Sequence, residues 1–274
     1  MIKAISWNIA HRPRLWDDVL AQDADVVLLQ EAPEPPAHIA SRVRMDHQPW
    51  RTEGGNSRCN WRAAAVALNT SVEATWHEPK PIKDAEGGEF AVSRLGTLSA
   101  ATITAPGAEP VVFISMYSRW EVPHASAGKN WIYADASVHR LISDLSVFIG
   151  KVKGHRIVAA GDLNILHGYG EHGSRYWGSR YQTVFDRFAA IGLRFVGPQW
   201  PNGRRADPRP EELPQDSMDV PTYHKAAEGP AGATRQLDFV FASQGIADNL
   251  RVKALNGIDE WGGSDHCRIA IEIG

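Results

Sequence analysis

Five segments of this chain each place polar residues at or beside an end of an apolar, strand-like run, and those residues are scattered from position 8 to position 266. The segments read Ile5-Ser6-Trp7-Asn8, Leu28-Leu29-Gln30-Glu31, Ala160-Gly161-Asp162-Leu163-Asn164, Gln236-Leu237-Asp238-Phe239 and Gly262-Gly263-Ser264-Asp265-His266 before the run Cys267–Ile271. Strand ends are where an α/β sheet can converge side chains into one pocket. A single site built from this set needs both ends of the chain, which predicts one domain over 1–274 and disfavours two small ones. One amide, a glutamate, an Asp-x-Asn, a lone aspartate and an Asp-His pair suit metal-assisted attack on a phosphate ester.

Composition narrows the classes further. The net charge of −3 and pI near 6.4 advertise no global basic field, so an anionic ligand would need a local patch. Cys59 and Cys267 are the two cysteines. They make no disulfide framework and suit reduced thiols in a cytoplasmic protein. No apolar run approaches the ~20 residues of a membrane span, and no targeting segment is evident at Met1. With no heptads or apolar docking helix, a monomer without an evident protein partner is expected.

Hydrophobic patterning predicts strands at 2–7, 25–30, 62–68, 97–104, 111–116, 155–160, 237–242, 250–255 and 267–273. The pair flanking Pro106-Gly107 reads as a hairpin. Helices are predicted at 14–21, at 131–149 with Trp131, Val138 and Leu141 on one face, and at 179–190 from a Ser179 cap. Strands outnumber helices, and hairpins mix with helical crossovers. That favours an α/β fold of two mixed sheets packed face to face with helices outside. A proline-rich loop insertion, about 197–222, is expected to be functional or disordered.

The chemistry can be read residue by residue, with alternatives open at each. Glu31 offers a hard oxygen donor suited to Mg²⁺, or else serves as a cap or ion-pair partner. Asp162 and Asn164 point to the same side of an extended chain, so the carboxylate can align a water while the amide meets a phosphate oxygen. The same tetrapeptide is also rich in turn formers. His266 can donate to a phosphate or shuttle a proton, with Asp238 fixing its tautomer. A carboxylate inside Leu-Asp-Phe-Val-Phe needs a partner, and His266, Arg235 or a metal would serve.

Taken in order, Ser-Trp-Asn, Leu-Gln-Glu, Gly-Asp-Leu-Asn, Leu-Asp-Phe and Gly-Ser-Asp-His resemble the endonuclease/exonuclease/phosphatase (DNase I-like) superfamily, and the resemblance spans the chain. It implies a four-layer α/β sandwich and Mg²⁺-dependent phosphoester hydrolysis, with Mn²⁺ as an alternative ion. It implies that Glu31 and Asp265 lie on the metal side with the Asn8 amide, and that Asp162 aligns the water. It further implies that Asn164 contacts the phosphate, that Asp238 and His266 form the Asp-His pair, and that Tyr117 stands near the phosphate. Two departures speak against an abasic-site repair enzyme. Tyr117-Ser118-Arg119-Trp120 replaces a Tyr-Val-Pro-Asn-like segment, and Ala10 stands where an acid is frequent. The inositol phosphatases' Pro-Ala-Trp-Cys-Asp-Arg-like signature is also missing; Ala233–Asp238 stands there instead.

Residues 172–205 hold six arginines against one acid, Asp186, together with Tyr176, Trp177, Tyr181 and Trp200. Arginine for phosphates and aromatics for base stacking suit a nucleic acid. Arg175, Arg180 and Trp177, with Arg119, are therefore the expected substrate contacts. The alternatives are solvated arginines and core aromatics. The reading is a metal-dependent phosphodiesterase, foremost a nuclease on DNA or RNA. A phosphatase or phospholipase C-type hydrolase on a small or lipid phosphate is the rival, and a silent binding protein the more distant one.

Overall fold

The computed structural model describes residues 1–52, 59–121, 126, 134–150 and 154–274. The N-terminal half runs β1 (Ile2–Asn8), α1 (Leu15–Leu20), β2 (Val26–Pro33), α2 (Ala37–Ala40), β3 (Arg44–Met45), β4 (Trp61–Ala67) and β5 (Glu73–His77). Next come β6 (Lys80–Pro81), β7 (Ala91–Val92), β8 (Leu98–Thr104), β9 (Val111–Tyr117), α3 (Ala134–Asp144) and β10 (Ile157–Asp162). The chain closes with α4 (Arg175–Ala190), β11 (Leu193–Gly197), β12 (Asp238–Ser243), α5 (Gln244–Ala247), β13 (Leu250–Leu255) and β14 (Arg268–Ile273).

Two six-stranded sheets result, ordered β13-β14-β1-β2-β4-β3 and β11-β12-β10-β9-β8-β5. Each is mixed: β1–β2 and β9–β10 run parallel, and the other pairings antiparallel. The two ends of the chain meet as neighbours, Ile2 opposite Ile273. The expected β8–β9 hairpin forms, with Leu98 opposite Met116.

Strand alternation sorts the apolar side chains into three layers. Ala4, Val26 and Leu28 of one sheet meet Phe113, Val158, Ala160 and Val240 of the other between the sheets. Their neighbours Ile5, Trp7, Val27 and Leu29 face outward onto Leu15, Trp16 and Val19 of α1 and Ile39 of α2. On the far side Ile114, Ala159, Phe239 and Phe241 pack under Val138 and Leu141 of α3 and Val184, Phe185 and Phe188 of α4. The product is helix, sheet, sheet, helix: the α/β sandwich expected from the sequence. Phe188 stacks on Phe241 at 3.9 Å, and truncating such a ring costs about 3–5 kcal/mol.

Several boundaries differ from the sequence expectation. Helix α4 starts four residues earlier than Ser179, capped by Ser174, whose hydroxyl accepts the Trp177 N–H. Gly178 sits inside the helix, where its lack of a side chain lets the Tyr169–Gly170 backbone approach. The predicted 131–149 helix appears as α3 followed by a 3₁₀ turn over Leu145–Phe148, while Trp131 lies outside the described residues. The short β3, β6 and β7 and the edge strands β5 and β11 had no clear apolar signal.

The stretch 197–222 is pinned at several points. Val220 is buried between the sheets, and Val220 N–H donates to Gln236 Oε1 at 3.0 Å. Asn256 holds Arg204 N–H on its Oδ1 and donates to the Arg204 and Pro221 carbonyls. Thr222 accepts the Leu237 and Asp238 N–H groups on its hydroxyl. This loop therefore helps to set the start of β12, where Asp238 lies.

Candidate active site

The same alternation that builds the core places polar groups at one end of the gap between the sheets. Asn8 follows the inward series Ala4 and Ser6, Gln30 follows Val26 and Leu28, and Asp162 follows Val158 and Ala160. Register puts Asp162 directly opposite Tyr117 on one side and Asp238 on the other. Gly161 allows this close packing, because a Cβ there would collide with the Met116 carbonyl. Gln30 bridges the two sheets, donating to Ser115 Oγ at 3.0 Å, while Ser115 donates to the Leu29 carbonyl at 2.6 Å.

Asp162 is fenced by donors. Its Oδ1 accepts the Asn164 backbone N–H (2.9 Å), and its Oδ2 accepts Asn8 Nδ2 (3.0 Å) and Asn164 Nδ2 (3.1 Å). Asn164 Nδ2 also donates to the Ser118 carbonyl at 3.0 Å. Both amide hydrogens of Asn164 are thus engaged, and its φ of +52° suits an asparagine better than most residues.

His266 Nδ1 bonds Asp238 Oδ2 at 2.8 Å, and its Nε2 stands 3.8 Å from Asp162 Oδ2. Asp238 therefore takes His266 as its partner; Arg235 pairs with Glu171 instead. The His266 backbone is held by Ser264 Oγ and by the Trp7 indole, which donates to its carbonyl. Tyr223, which the motifs did not reveal, lies against the imidazole at 5.0 Å between ring centres.

Burial and charge set the protonation of this trio. Burial disfavours the imidazolium of His266, but Asp238 and Asp162 more than offset it and push the pKa up to about 10. Burial also pushes Asp162 up, to about 8, with His266 opposing and Asp238 and Glu31 adding to the rise. The direction for both is upward, because burial and the neighbouring carboxylates favour keeping a proton on Asp162, and the carboxylates favour keeping one on His266.

Glu31 reaches the site by a different route. Plain alternation would send it outward with Leu29, but β2 is bulged between Leu29 and Ala32 and Glu31 has φ of +48°. Its carboxylate then accepts from Tyr117 and sits 2.5 Å from His11 Nε2. Burial raises its pKa, yet the His11 and Tyr117 contacts more than offset that, so it stays ionised. Burial, with the charges of Glu31 and Asp162, keeps Tyr117 a neutral phenol. His11 stacks on Trp61 at 4.4 Å, and the Arg119 guanidinium lies 4.7 Å over the same indole. His11 carried no motif of its own; its place three residues past Asn8 was the available signal.

The other expected residues are less central. Asp265 is partly exposed, beside Ser264 Oγ at 3.4 Å, and its charge acts on His266 and Tyr223. Arg180 grips Asp135 of α3 with two bonds, 2.9 and 2.6 Å, and Trp177 stacks on Tyr181. The Arg180 pair joins α4 to α3, and Trp177 also packs against the apolar layer beneath α4. Arg175 is exposed on the first turn of α4, beside a groove lined by Gly170, Ser174, Gly178 and Glu212. Trp200 is exposed under Arg205 at 4.3 Å rather than plugging the core.

The donor set fits a divalent cation. Glu31 offers ionised oxygen beside an imidazole, and Asp162, Asp238 and His266 place one ligand atom each within 4.8 Å of one another. Among the described residues no donor reaches the buried Asp238 Oδ1. In the trio His266 is already bonded through Nδ1 and balances two acids, whereas Glu31 is ionised and more open, which makes the Glu31 side the better seat.

Solved structures share this architecture at low identity. The endonuclease domain of TRAS1, a telomere-specific non-LTR retrotransposon, is similar with a TM-score of 0.61 and 14% identity, covering 100% of this chain and 98% of that one. The AP endonuclease LMAP of Leishmania major gives 0.60 and 14%, covering 98% and 86%. A variant of the 3′ phosphatase NExo of Neisseria, bound to a product DNA hairpin, gives 0.55 and 15%, covering 100% of each chain. A search of curated proteins found no matching sequence. Among the described residues no helix is long and apolar enough to cross a membrane. The profile of the Endonuclease/Exonuclease/phosphatase family, whose members are phosphoester hydrolases, matches residues 5–266. The site just described falls within that match, and the chain belongs to this family.

Proposed function

We propose that this protein is a metal-dependent phosphodiesterase acting on nucleic acid, with 1–274 working as one catalytic domain. The observation that carries the reading is the imidazolium of His266, held between Asp238 at 2.8 Å and Asp162 at 3.8 Å beside the ionised Glu31. That arrangement separates a proton-handling group from a cation seat at one end of the gap between the sheets.

Glu31, with Asp265 and the Asn8 amide oxygen, would hold a divalent cation, Mg²⁺ or Mn²⁺, which would neutralise phosphate charge and stabilise the leaving oxygen. Asp162, aimed by Asn8 and Asn164, aligns the attacking water and accepts its proton. His266 donates its Nε2–H to a phosphoryl oxygen, where negative charge grows as the water oxygen bonds to phosphorus and the ester bond breaks. Asp238 keeps the imidazole charged and oriented. Asn164 acts as a positioning residue for Asp162, since both its amide hydrogens are engaged. Tyr117 holds Glu31.

Support for a nucleic-acid substrate comes from the similar structures, which include two endonucleases and a phosphatase with product DNA. The exposed Trp120, 55% accessible just beyond Arg119, is a surface on which a base could stack. The test is hydrolysis of single- and double-stranded DNA, RNA, abasic DNA, inositol phosphates and sphingomyelin, with Mg²⁺ or EDTA, by wild type and His266→Ala. Magnesium-dependent cleavage of a nucleic acid, lost in the variant, is expected. Turnover of inositol phosphates or sphingomyelin alone would keep the mechanism and overturn the nuclease reading. No metal-dependent turnover of any of them would count against catalysis.

A further inference from the structure

Three of the five non-glycine residues with positive φ among the described residues fall at one spot: Ala10 at +50°, His11 at +57° and Glu31 at +48°. Side chains rarely tolerate this region, and such strain persists only where the surroundings enforce it. Here the enforcement is visible. The His11 N–H donates to the Glu31 carbonyl at 3.0 Å, and the His11 ring lies nearly flat on Trp61, 14° between planes. The strained turn and the β2 bulge together bring His11 Nε2 to 2.5 Å from Glu31 Oε2. A simple surface ion pair does not require an unfavourable backbone on both partners. The two atoms now bond each other, with side chains 46% and 17% exposed, so a cation entering with its own waters could replace the proton between them and take both as donors.

We propose that His11 is a nitrogen ligand to the divalent cation held by Glu31, and that it biases the site from Mg²⁺ towards first-row transition ions such as Mn²⁺. The inference rests on the metal-dependent reading above and deepens it. Mg²⁺ favours oxygen donors and retains its waters, whereas transition ions accept imidazole readily. His11 lies next to Ala10, the position where the sequence lacks an acid, so an imidazole here would supply a donor that Ala10 cannot.

The test is Mn²⁺ titration of the metal-free protein, followed by pulsed electron paramagnetic resonance for ¹⁴N modulation from a bound imidazole, with Mg²⁺ as competitor. Wild type should show the nitrogen coupling. His11→Asn, chosen because asparagine tolerates positive φ, should lose it and weaken Mn²⁺ binding by about tenfold or more, with a smaller change for Mg²⁺. His11→Asp should recover cation binding without nitrogen coupling and shift the preference towards Mg²⁺. His266→Gln should keep the coupling, which assigns the nitrogen to His11. Mn²⁺ that binds through Glu31, being weakened by Glu31→Gln, but shows no His11-dependent coupling would overturn this inference and leave the metal reading intact. Mn²⁺ that does not bind wild type, or binds Glu31→Gln equally well, would overturn both.

Discussion

The two sides of the site differ in how they treat water. On one side Asp162, Asp238 and His266 have side chains 1%, 1% and 6% exposed. On the other, Glu31 and His11 are 17% and 46% exposed. In the dry half the groups are held by neighbouring charges and N–H donors, and the balance of burial and those charges moves the pKa values of Asp162 and His266 upward. In the wetter half the carboxylate stays ionised and keeps access to solvent. A reaction that needs both a fixed proton donor and a partly hydrated cation is served by this asymmetry.

The contrast can be broken by removing one half at a time. The largest effect is expected for His266→Ala, which should lower phosphodiester turnover by about 10²–10⁴-fold with little change in the metal requirement, measured by steady-state kinetics. Glu31→Gln should instead raise the metal concentration for half-maximal rate by about 10–100-fold, read from metal titrations of the rate.

Stability sharpens the comparison. Asp238→Asn leaves a buried imidazolium without its partner and should cost about 3–5 kcal/mol in denaturant unfolding. Folded His266 binds its proton more tightly than in the unfolded chain, with a pKa of about 10 against an ordinary 6.5. Its contribution is complete below about pH 6.5 and is lost as pH rises through about 10. The raised pKa of Asp162 acts in the same direction. The melting temperature of metal-free wild type should fall from pH 7 to 10, and the fall should be shallower in His266→Gln. Smaller effects lie away from both halves. Arg180→Ala strands the buried Asp135 carboxylate and should cost about 1–3 kcal/mol while leaving turnover of a small diester unchanged. Arg175→Ala should stay within about 0.5 kcal/mol of wild type, so a rise in KM for a long polymer would mark it as a substrate contact.

The dry half was the more legible in the sequence, and the reason is geometric. Asn8, Asp162 and Asp238 keep the parity of their own strands, so an apolar alternation that predicts Ala4, Val158 or Val240 inside predicts them too. Glu31 breaks parity and enters only through a bulge, which no local pattern announces. The strand motif named Glu31 but not its geometry, and nothing local named His11. Tyr223 and Thr222 were hidden for another reason. They follow a proline-rich stretch whose anchors, Val220 and Asn256, are set by contacts distant in sequence. The arginine-rich segment read as a substrate surface, yet the Arg180 pairing depends on Asp135, 45 residues away.

The most direct measurement is the metal dependence of phosphodiester cleavage by His266→Ala and Glu31→Gln side by side, on the substrate that wild type hydrolyses best. The account predicts that His266→Ala lowers the maximal rate at an unchanged metal half-saturation, and that Glu31→Gln raises the half-saturation with rate recoverable at high metal. If the two variants shift the same parameter, the division of labour between the two halves is wrong.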